Sequence, residues 1–118
     1  ANIICERSHC SALITGESVG QVASQTLAAI ACTDKAADYP VLRPLVGMDK
    51  KEIVETARKI DTFETSILPY EDCCTVFTPK HPKTKPLIED VLKEETKFDF
   101  EPLIKKAIEG ITVKDFKI

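Results

Sequence analysis

The stretch SALITGESVGQVASQTLAAI, Ser11 to Ile30, carries the pattern that decides the fold. Its first part, Ser11–Thr15, is a short apolar run that ends at once in Gly16, which predicts a buried strand followed by a tight turn. From about Gln21 to Lys35 apolar residues recur at helical spacing, which predicts a helix. Strand, glycine turn and helix in this order are typical of α/β proteins.

The rest of the chain continues the alternation of apolar runs and amphipathic stretches. Residues 1–10 resemble the end of a helix, and Tyr39–Val46 predicts a second strand with irregular ends because it contains two prolines. Asp49 is a good N-cap and Glu52 completes a capping box, so a helix begins there and should stop at Asp61. Two more amphipathic helices are predicted within Lys85–Glu95 and Glu101–Ile111.

These elements predict an α/β fold, a partial doubly wound parallel sheet with flanking helices. Two strands alone leave exposed edges and too little surface to pack against. We therefore expect the missing strands to come from another segment of the protein or from another copy of the chain.

Composition limits the classes of function. The 118 residues are one domain or part of one, and a net charge of −3 argues against a surface that binds nucleic acid throughout. No apolar run is long enough to span a membrane. The five cysteines include no CxxC pair, which argues against a zinc ribbon or a disulfide framework and favours a reducing cytoplasm. The two histidines lack an obvious metal partner, so no metal site is predicted.

Two residues near the glycine turn are candidates for binding a nucleotide. Gly16 would let the backbone approach a ligand, and a helix N-terminus would favour phosphate. The spacing is neither GxGxxG nor a Walker P-loop, so these residues taken alone favour an ordinary strand-to-helix turn over a nucleotide site. Gln25, placed by the pattern a turn or more into the helix, would by default lie on the surface.

The second candidate site is the stretch PYEDCCTVFTPKHPKTKP, Pro69 to Pro86. Cys73 and Cys74 are adjacent thiols in a predicted loop, and a thiolate is the nucleophile in sulfur chemistry. Either of them could also pack as a small hydrophobe. The basic residues that follow could hold phosphate or could belong to a solvated connector. These residues are Lys80, His81, Lys83 and Lys85.

Three stretches together closely resemble the tRNA 4-thiouridine synthetase family, also called tRNA sulfurtransferase or the ThiI-type thiamine-biosynthesis protein. They are LITGESVGQVASQTL, LRPLVGMDKKEIVETARKI and PYEDCCTVFTPKHPKTKP. The resemblance runs in order from about residue 10 to residue 95. It implies that residues 1–118 are the C-terminal portion of a PP-loop ATP-pyrophosphatase domain with an adenine-nucleotide α-hydrolase-like fold.

The resemblance also implies an activity. Family members use ATP, with Mg²⁺ accompanying it, to activate uridine 8 of tRNA, and sulfur arrives as a cysteine persulfide from a cysteine desulfurase. Many also supply sulfur for the thiazole of thiamine. Gly16 and Gln25 match positions that contact ATP, and Cys73 matches the cysteine used in sulfur transfer, with Cys74 second.

Some family features are not in these residues. The SGGxDS turn of the PP-loop and the tRNA-docking THUMP region are absent, so we expect the N-terminal half of the protein to be a partner and this chain alone to be inactive. A homodimer is a further candidate assembly. Two alternatives stay open, a non-catalytic sulfur carrier that docks a desulfurase and a redox-sensing thiol pair.

Overall fold

The computed structural model describes residues 1–20, 25–70 and 83–116. Two short strands, β1 (Leu13–Ile14) and β2 (Val41–Leu42), pair in parallel with Leu13 opposite Val41. The helices within the described residues are α1 (Asn2–Arg7), α2 (Leu27–Ala36), α3 (Lys50–Lys59), α4 (Phe63–Ser66), α5 (Ile88–Glu95) and α6 (Glu101–Glu109). The predicted α/β fold with a small parallel sheet and flanking helices is confirmed.

The strands differ from the prediction in length and burial. Each has two residues, where Ser11–Thr15 and Tyr39–Val46 had been expected to be strands. Neither strand is fully buried, because Ile14 of β1 keeps 73% and Leu42 of β2 keeps 54% of its surface exposed. An apolar run indicates that both faces of a strand become buried, but the residues that cover those faces come from other segments of the protein.

Helix α2 begins later than the sequence pattern predicted. It starts at Leu27 instead of about Gln21, and Thr26 is its N-cap, with extended backbone and a hydroxyl that accepts a bond from the Ala29 N–H at 3.2 Å. Gln25 precedes the cap, so the prediction that it lies inside the helix is wrong. The spacing of apolar residues gives no information about a capping threonine. Such a side chain fixes where the helix begins, because it accepts a bond from a free N–H of the first turn.

Helix α3 forms as predicted from its first turn. The Glu52 N–H donates to Asp49 Oδ1 at 2.9 Å and the Asp49 N–H donates to Glu52 Oε2 at 2.8 Å, which is a complete capping box. The helix ends at Lys59, and Asp61 takes the left-handed backbone conformation with φ 56°. The start of the helix is therefore set by side-chain capping and its end by a local left-handed backbone turn.

We expect the Asp49→Ala substitution to lower the free energy of unfolding by about 1 kcal/mol, since it leaves the Glu52 N–H of the first turn without its side-chain acceptor. Chemical denaturation of the protein measures this directly. Asp115→Ala in the C-terminal tail is the matched control and should change the unfolding free energy by less than about 0.5 kcal/mol. Equal effects of the two substitutions would contradict the role of the cap.

The first helix closes in a turn that buries a thiol. The Cys10 N–H donates to the Cys5 carbonyl at 2.9 Å and the His9 N–H donates to the Glu6 carbonyl at 3.1 Å, with His9 at φ 53°. This pairing is a Schellman motif, which brings the side chains at its two ends together. Cys5 is 2% exposed and, with Ile30, forms the buried apolar core of the described residues.

The C-terminal helices match their predicted positions. Helix α5 contacts α2, and α6 carries its proline in the first turn and ends at Gly110. Helix α4 had not been predicted, because four residues are too short for a periodic pattern. No helix in the described part of the chain is long and apolar enough to cross a membrane.

Candidate functional site

Gly16 lies at the carboxyl end of β1, between two anchored neighbours. The Thr15 N–H donates to the Leu42 carbonyl at 3.1 Å, which continues the sheet. The Thr15 hydroxyl then reaches past Gly16 and donates to Glu17 Oε2 at 2.9 Å. A Cβ added at Gly16 would meet no described atom within 4 Å, so the space in front of this residue is open. In parallel α/β sheets, ligands bind at this end of the strands.

The turn continues through a buried serine. Ser18 is 2% exposed, and its hydroxyl donates to the Met48 carbonyl at 2.9 Å. The next residue is also held, because the Val19 N–H donates to the Val46 carbonyl at 3.1 Å. These bonds fasten the turn to the segment that follows β2.

Gln25 closes the same turn from its far side. Its side-chain Oε1 accepts from the Ser18 N–H at 3.4 Å, and its carbonyl accepts from the Gly20 N–H at 2.9 Å, where Gly20 has φ 83°. Gly16 and Gln25, the two residues that the family resemblance assigns to ATP, therefore lie on one loop between β1 and α2. Gln25 is half-buried there.

Arg43, which is not one of the predicted site residues, lies beside this loop. Arg43 Nε donates to Glu17 Oε2 at 2.8 Å and Nη1 donates to Asp34 Oδ1 at 2.7 Å. Thr33 joins the cluster, since its hydroxyl accepts from Arg43 Nη2 and lies against Glu17 Oε1, both at 3.3 Å, while it donates to the Ile30 carbonyl at 2.9 Å. The Arg43 side chain is only 9% exposed. We call Thr15, Glu17, Thr33, Asp34 and Arg43 the arginine cluster.

The charges in the arginine cluster stabilise one another. Burial raises the pKa of the Glu17 carboxyl, but hydrogen bonds from Arg43, Thr15 and Thr33 and the Arg43 charge outweigh it, so the pKa lies below its usual value. Hydrogen bonds to Asp34 and Glu17 raise the pKa of Arg43. Glu17 thus stays ionised and Arg43 charged at physiological pH.

A pH titration should show the contribution of Glu17 to stability. Its folded pKa is below the unfolded value near 4.5, so its stabilisation is complete above that value and is lost as pH falls through the folded pKa. We expect the difference in unfolding free energy between wild type and Glu17→Gln to be constant near neutral pH and to shrink below about pH 4.5. Urea denaturation at several pH values measures it. A difference that grows on acidification would contradict the ion pair.

The residues near the predicted cysteine loop are partly described. Thr26 Oγ1 donates to the Thr84 carbonyl at 2.7 Å, which ties the start of α2 to the segment leaving that loop. Lys83 pairs with Asp90, and Lys85 is exposed. The other predicted residues of this site, Cys73, Cys74, Lys80 and His81, lie outside the described residues. Whether the loop meets the Gly16 turn therefore stays a prediction.

The Cys5 thiol and the Glu17 carboxylate have limited chemistry. Burial raises the pKa of the Cys5 thiol, which makes it a poor nucleophile. Glu17 Oε2 accepts from both Arg43 and Thr15, and Oε1 lies against the Thr33 hydroxyl, so the carboxylate is poorly suited to hold Mg²⁺. Among the described residues no three His, Cys, Asp or Glu side chains come together as a metal site would require.

The chain matches a known family over most of its length. The family model described as Thiamine biosynthesis protein (ThiI) matches residues 1–100. The chain belongs to the ThiI family. This confirms the resemblance drawn from the three sequence motifs.

Curated relatives in the ThiI family are similar to this chain throughout. The probable tRNA sulfurtransferase of Alkaliphilus oremlandii (strain OhILAs) is 52% identical over 118 residues, which are 100% of this chain and 30% of that protein. The probable tRNA sulfurtransferase of Acetivibrio thermocellus is 56% identical over 96% of this chain and 29% of that protein. This ThiI-family chain therefore spans less than a third of the length of these relatives.

A solved structure has the same fold. A 4-thiouridine synthetase, whose crystal structure is of an RNA complex with bound ATP, superposes with a TM-score of 0.79 at 42% identity. The match covers 89% of this chain and 27% of that one. At this identity the likeness supports a shared fold and a shared family.

Proposed function

We propose that residues 1–118 are the C-terminal portion of the ATP-pyrophosphatase domain of a tRNA sulfurtransferase, which converts uridine 8 of tRNA to 4-thiouridine. The observation that supports this most is the likeness to a 4-thiouridine synthetase crystallised with RNA and ATP. Because the chain spans less than a third of its curated relatives, the activity belongs to the whole protein, and the PP-loop and THUMP regions would lie in its N-terminal part.

The loop between β1 and α2 is the proposed ATP contact in this chain. Gly16 offers open space at the carboxyl end of a parallel strand, where an approaching ligand meets backbone instead of a side chain. Gln25, held by Ser18 and Gly20, would present its amide beside the same ligand. The chain would thus supply one wall of the nucleotide site, and the N-terminal part would supply the phosphate-binding turn together with any Mg²⁺ ligands.

The proposed reaction replaces the oxygen on C4 of the uracil by sulfur, so this oxygen must first become part of a good leaving group. The uracil O4 attacks the α-phosphorus of ATP and pyrophosphate leaves, which makes C4 electrophilic and O4 part of a good leaving group. The terminal sulfur of a protein persulfide attacks C4, and AMP leaves with the oxygen. A thiolate then attacks the inner sulfur of the resulting disulfide, which releases 4-thiouridine and leaves a protein disulfide. A cellular dithiol reduces that disulfide for the next turnover.

Cys73 is the proposed thiol in this sequence, with Cys74 as the second choice. It either carries the terminal sulfur or attacks the inner sulfur of a persulfide on another cysteine. The proposed donor of the persulfide is a cysteine desulfurase. Lys80, His81, Lys83 and Lys85 are weaker candidates for contacts with tRNA or ATP phosphate, and Lys83 would first have to exchange Asp90 for the phosphate.

The wider role is proposed on the same grounds. A protein that mobilises persulfide sulfur could also supply the thiamine thiazole, in keeping with the description of the family. The proposed location is the cytoplasm, in keeping with a tRNA substrate. Its partners would be tRNA, the desulfurase and the N-terminal half of the same protein, with a homodimer as a further candidate.

The test uses the full-length protein with tRNA, a persulfide donor and a dithiol. We expect 4-thiouridine in the nuclease-digested tRNA, detected by mass spectrometry, only when ATP is present. The absence of 4-thiouridine under conditions in which the protein binds ATP and accepts labelled persulfide would contradict the proposal. Persulfide labelling without any ATP binding would instead favour the non-catalytic carrier.

A further inference from the structure

The arginine cluster lies directly behind the turn that carries Gly16. Arg43 follows β2, and the parallel pairing of β2 with β1 places it beside Thr15 and Glu17. Glu17 Oε2 accepts from Arg43 Nε and from the Thr15 hydroxyl, and Oε1 lies 3.3 Å from the Thr33 hydroxyl. Glu17 is thus bonded to Thr15 and Arg43 beside the sheet, and it lies against Thr33 of α2.

Arg43 is not suited to bind phosphate itself. Three of its five N–H donors are used within the cluster, and its side chain is 9% exposed. Its two carboxylate partners give the cluster a net charge of −1. Such a group repels an anion instead of attracting one, so a role in holding the turn fits better than a role in contacting the ligand.

The hydrogen bonds described for this turn involve the neighbours of Gly16 and not Gly16 itself. Thr15 is bonded through its N–H and hydroxyl, Glu17 through its carboxylate, and Ser18 through its N–H and hydroxyl. Within the described residues neither the N–H nor the carbonyl of Gly16 takes part in a hydrogen bond. The backbone is therefore fixed on both sides of Gly16, which faces open space.

We propose that Glu17 and Arg43 form a positioning pair that holds the Gly16 turn in its nucleotide-binding conformation. The inference rests on the proposed function, since it names which residues prepare the proposed ATP contact. A turn fixed before binding does not have to be ordered by the ligand, and this raises affinity. Breaking the pair should therefore weaken ATP binding even where the protein remains folded.

Asp34 allows a positioning role to be separated from a merely stabilising one. It also bonds to Arg43, but it lies on α2 and makes no bond to the Gly16 turn. Glu17→Gln and Asp34→Asn each remove one negative charge from Arg43. If the cluster only stabilises the fold, the two substitutions should act alike. If Glu17 positions the turn, Glu17→Gln should weaken ATP binding strongly and Asp34→Asn should not.

The experiment compares full-length variants by ATP titration calorimetry and by thermal unfolding. We expect Glu17→Gln to raise the ATP Kd about tenfold and Asp34→Asn to raise it less than about threefold, with similar shifts in Tm. Arg43→Lys keeps the charge but lacks the fork that reaches both carboxylates, so its Kd should rise between these limits. Glu55→Gln, in an exposed pair with Lys51, is the matched control and should leave both quantities unchanged.

The outcomes separate this inference from the function on which it rests. Suppose that the wild type binds ATP. The positioning pair alone is then overturned if Glu17→Gln binds ATP equally well, or if Glu17→Gln and Asp34→Asn weaken ATP binding equally. Wild type that binds no ATP would overturn the proposed function and the pair together. If Glu17→Gln does not fold, Arg43→Lys decides, and an unchanged Kd in that variant overturns the pair.

Discussion

Full-length protein with Cys73→Ala should bind ATP and tRNA normally and form almost no 4-thiouridine. The alanine removes the sulfur that would carry or release the persulfide, but no group that activates the uracil. We expect thiolation to fall by at least about a thousandfold, as when a covalent nucleophile is lost, with ATP affinity within about twofold of wild type. Mass spectrometry of digested tRNA measures the first quantity and calorimetry the second.

The neighbouring thiol is the matched control for this prediction. Cys74→Ala differs from Cys73→Ala by one position in the same loop and should retain most of the activity. Equal loss in both variants would leave the role of Cys73 unsupported, and normal thiolation by Cys73→Ala would contradict it. Persulfide trapping on the wild type with an alkylating reagent distinguishes the two roles: a trapped persulfide on Cys73 identifies it as the carrier.

Gly16→Ala should weaken ATP binding without destabilising the protein. The added Cβ meets no described atom within 4 Å, and Gly16 does not have the positive φ of Gly20. We therefore expect stability to stay the same or to rise by about 0.4–1 kcal/mol, because alanine restricts the unfolded chain. The methyl group would project into the space proposed for the nucleotide, and we expect the ATP Kd to rise at least about tenfold.

Two other glycines make this prediction specific. Gly47 also has open space and no positive φ, so Gly47→Ala should affect stability as Gly16→Ala does and should leave the ATP Kd unchanged. Gly20 has φ 83°, so Gly20→Ala should lower stability by about 1–2 kcal/mol through backbone strain. An ATP Kd that is unchanged in Gly16→Ala would place the nucleotide elsewhere.

Features that depend on neighbouring residues could be predicted from the sequence. The capping box of Asp49 and Glu52 and the left-handed Asp61 involve side chains and backbone only a few positions apart, and both are confirmed. The start of α2 was misplaced because apolar spacing continues through residues that a capping Thr26 excludes from the helix. The exposure of Ile14 and Leu42 depends on which parts of the protein cover the sheet, and the pattern of one segment cannot give this.

The arginine cluster could not be found by scanning for motifs. Arg43 bonds to residues 26 and 9 positions away, which meet only once β1 and β2 pair in parallel. One signal was available in the sequence, a single charged residue inside the otherwise apolar run YPVLRPLV. With Ile14 opposite Leu42, the register places Arg43 next to Thr15, and Glu17 is the nearest acid along the chain.

The central claim is that the whole protein uses ATP to place sulfur on one nucleotide of tRNA. The most direct measurement supplies sulfur-labelled persulfide, ATP and unmodified tRNA to the full-length protein, and maps the label by nuclease digestion and mass spectrometry. The account predicts label in 4-thiouridine at position 8, dependent on ATP and on Cys73. Label that appears without ATP, or at another nucleotide, or equally in Cys73→Ala, would contradict it.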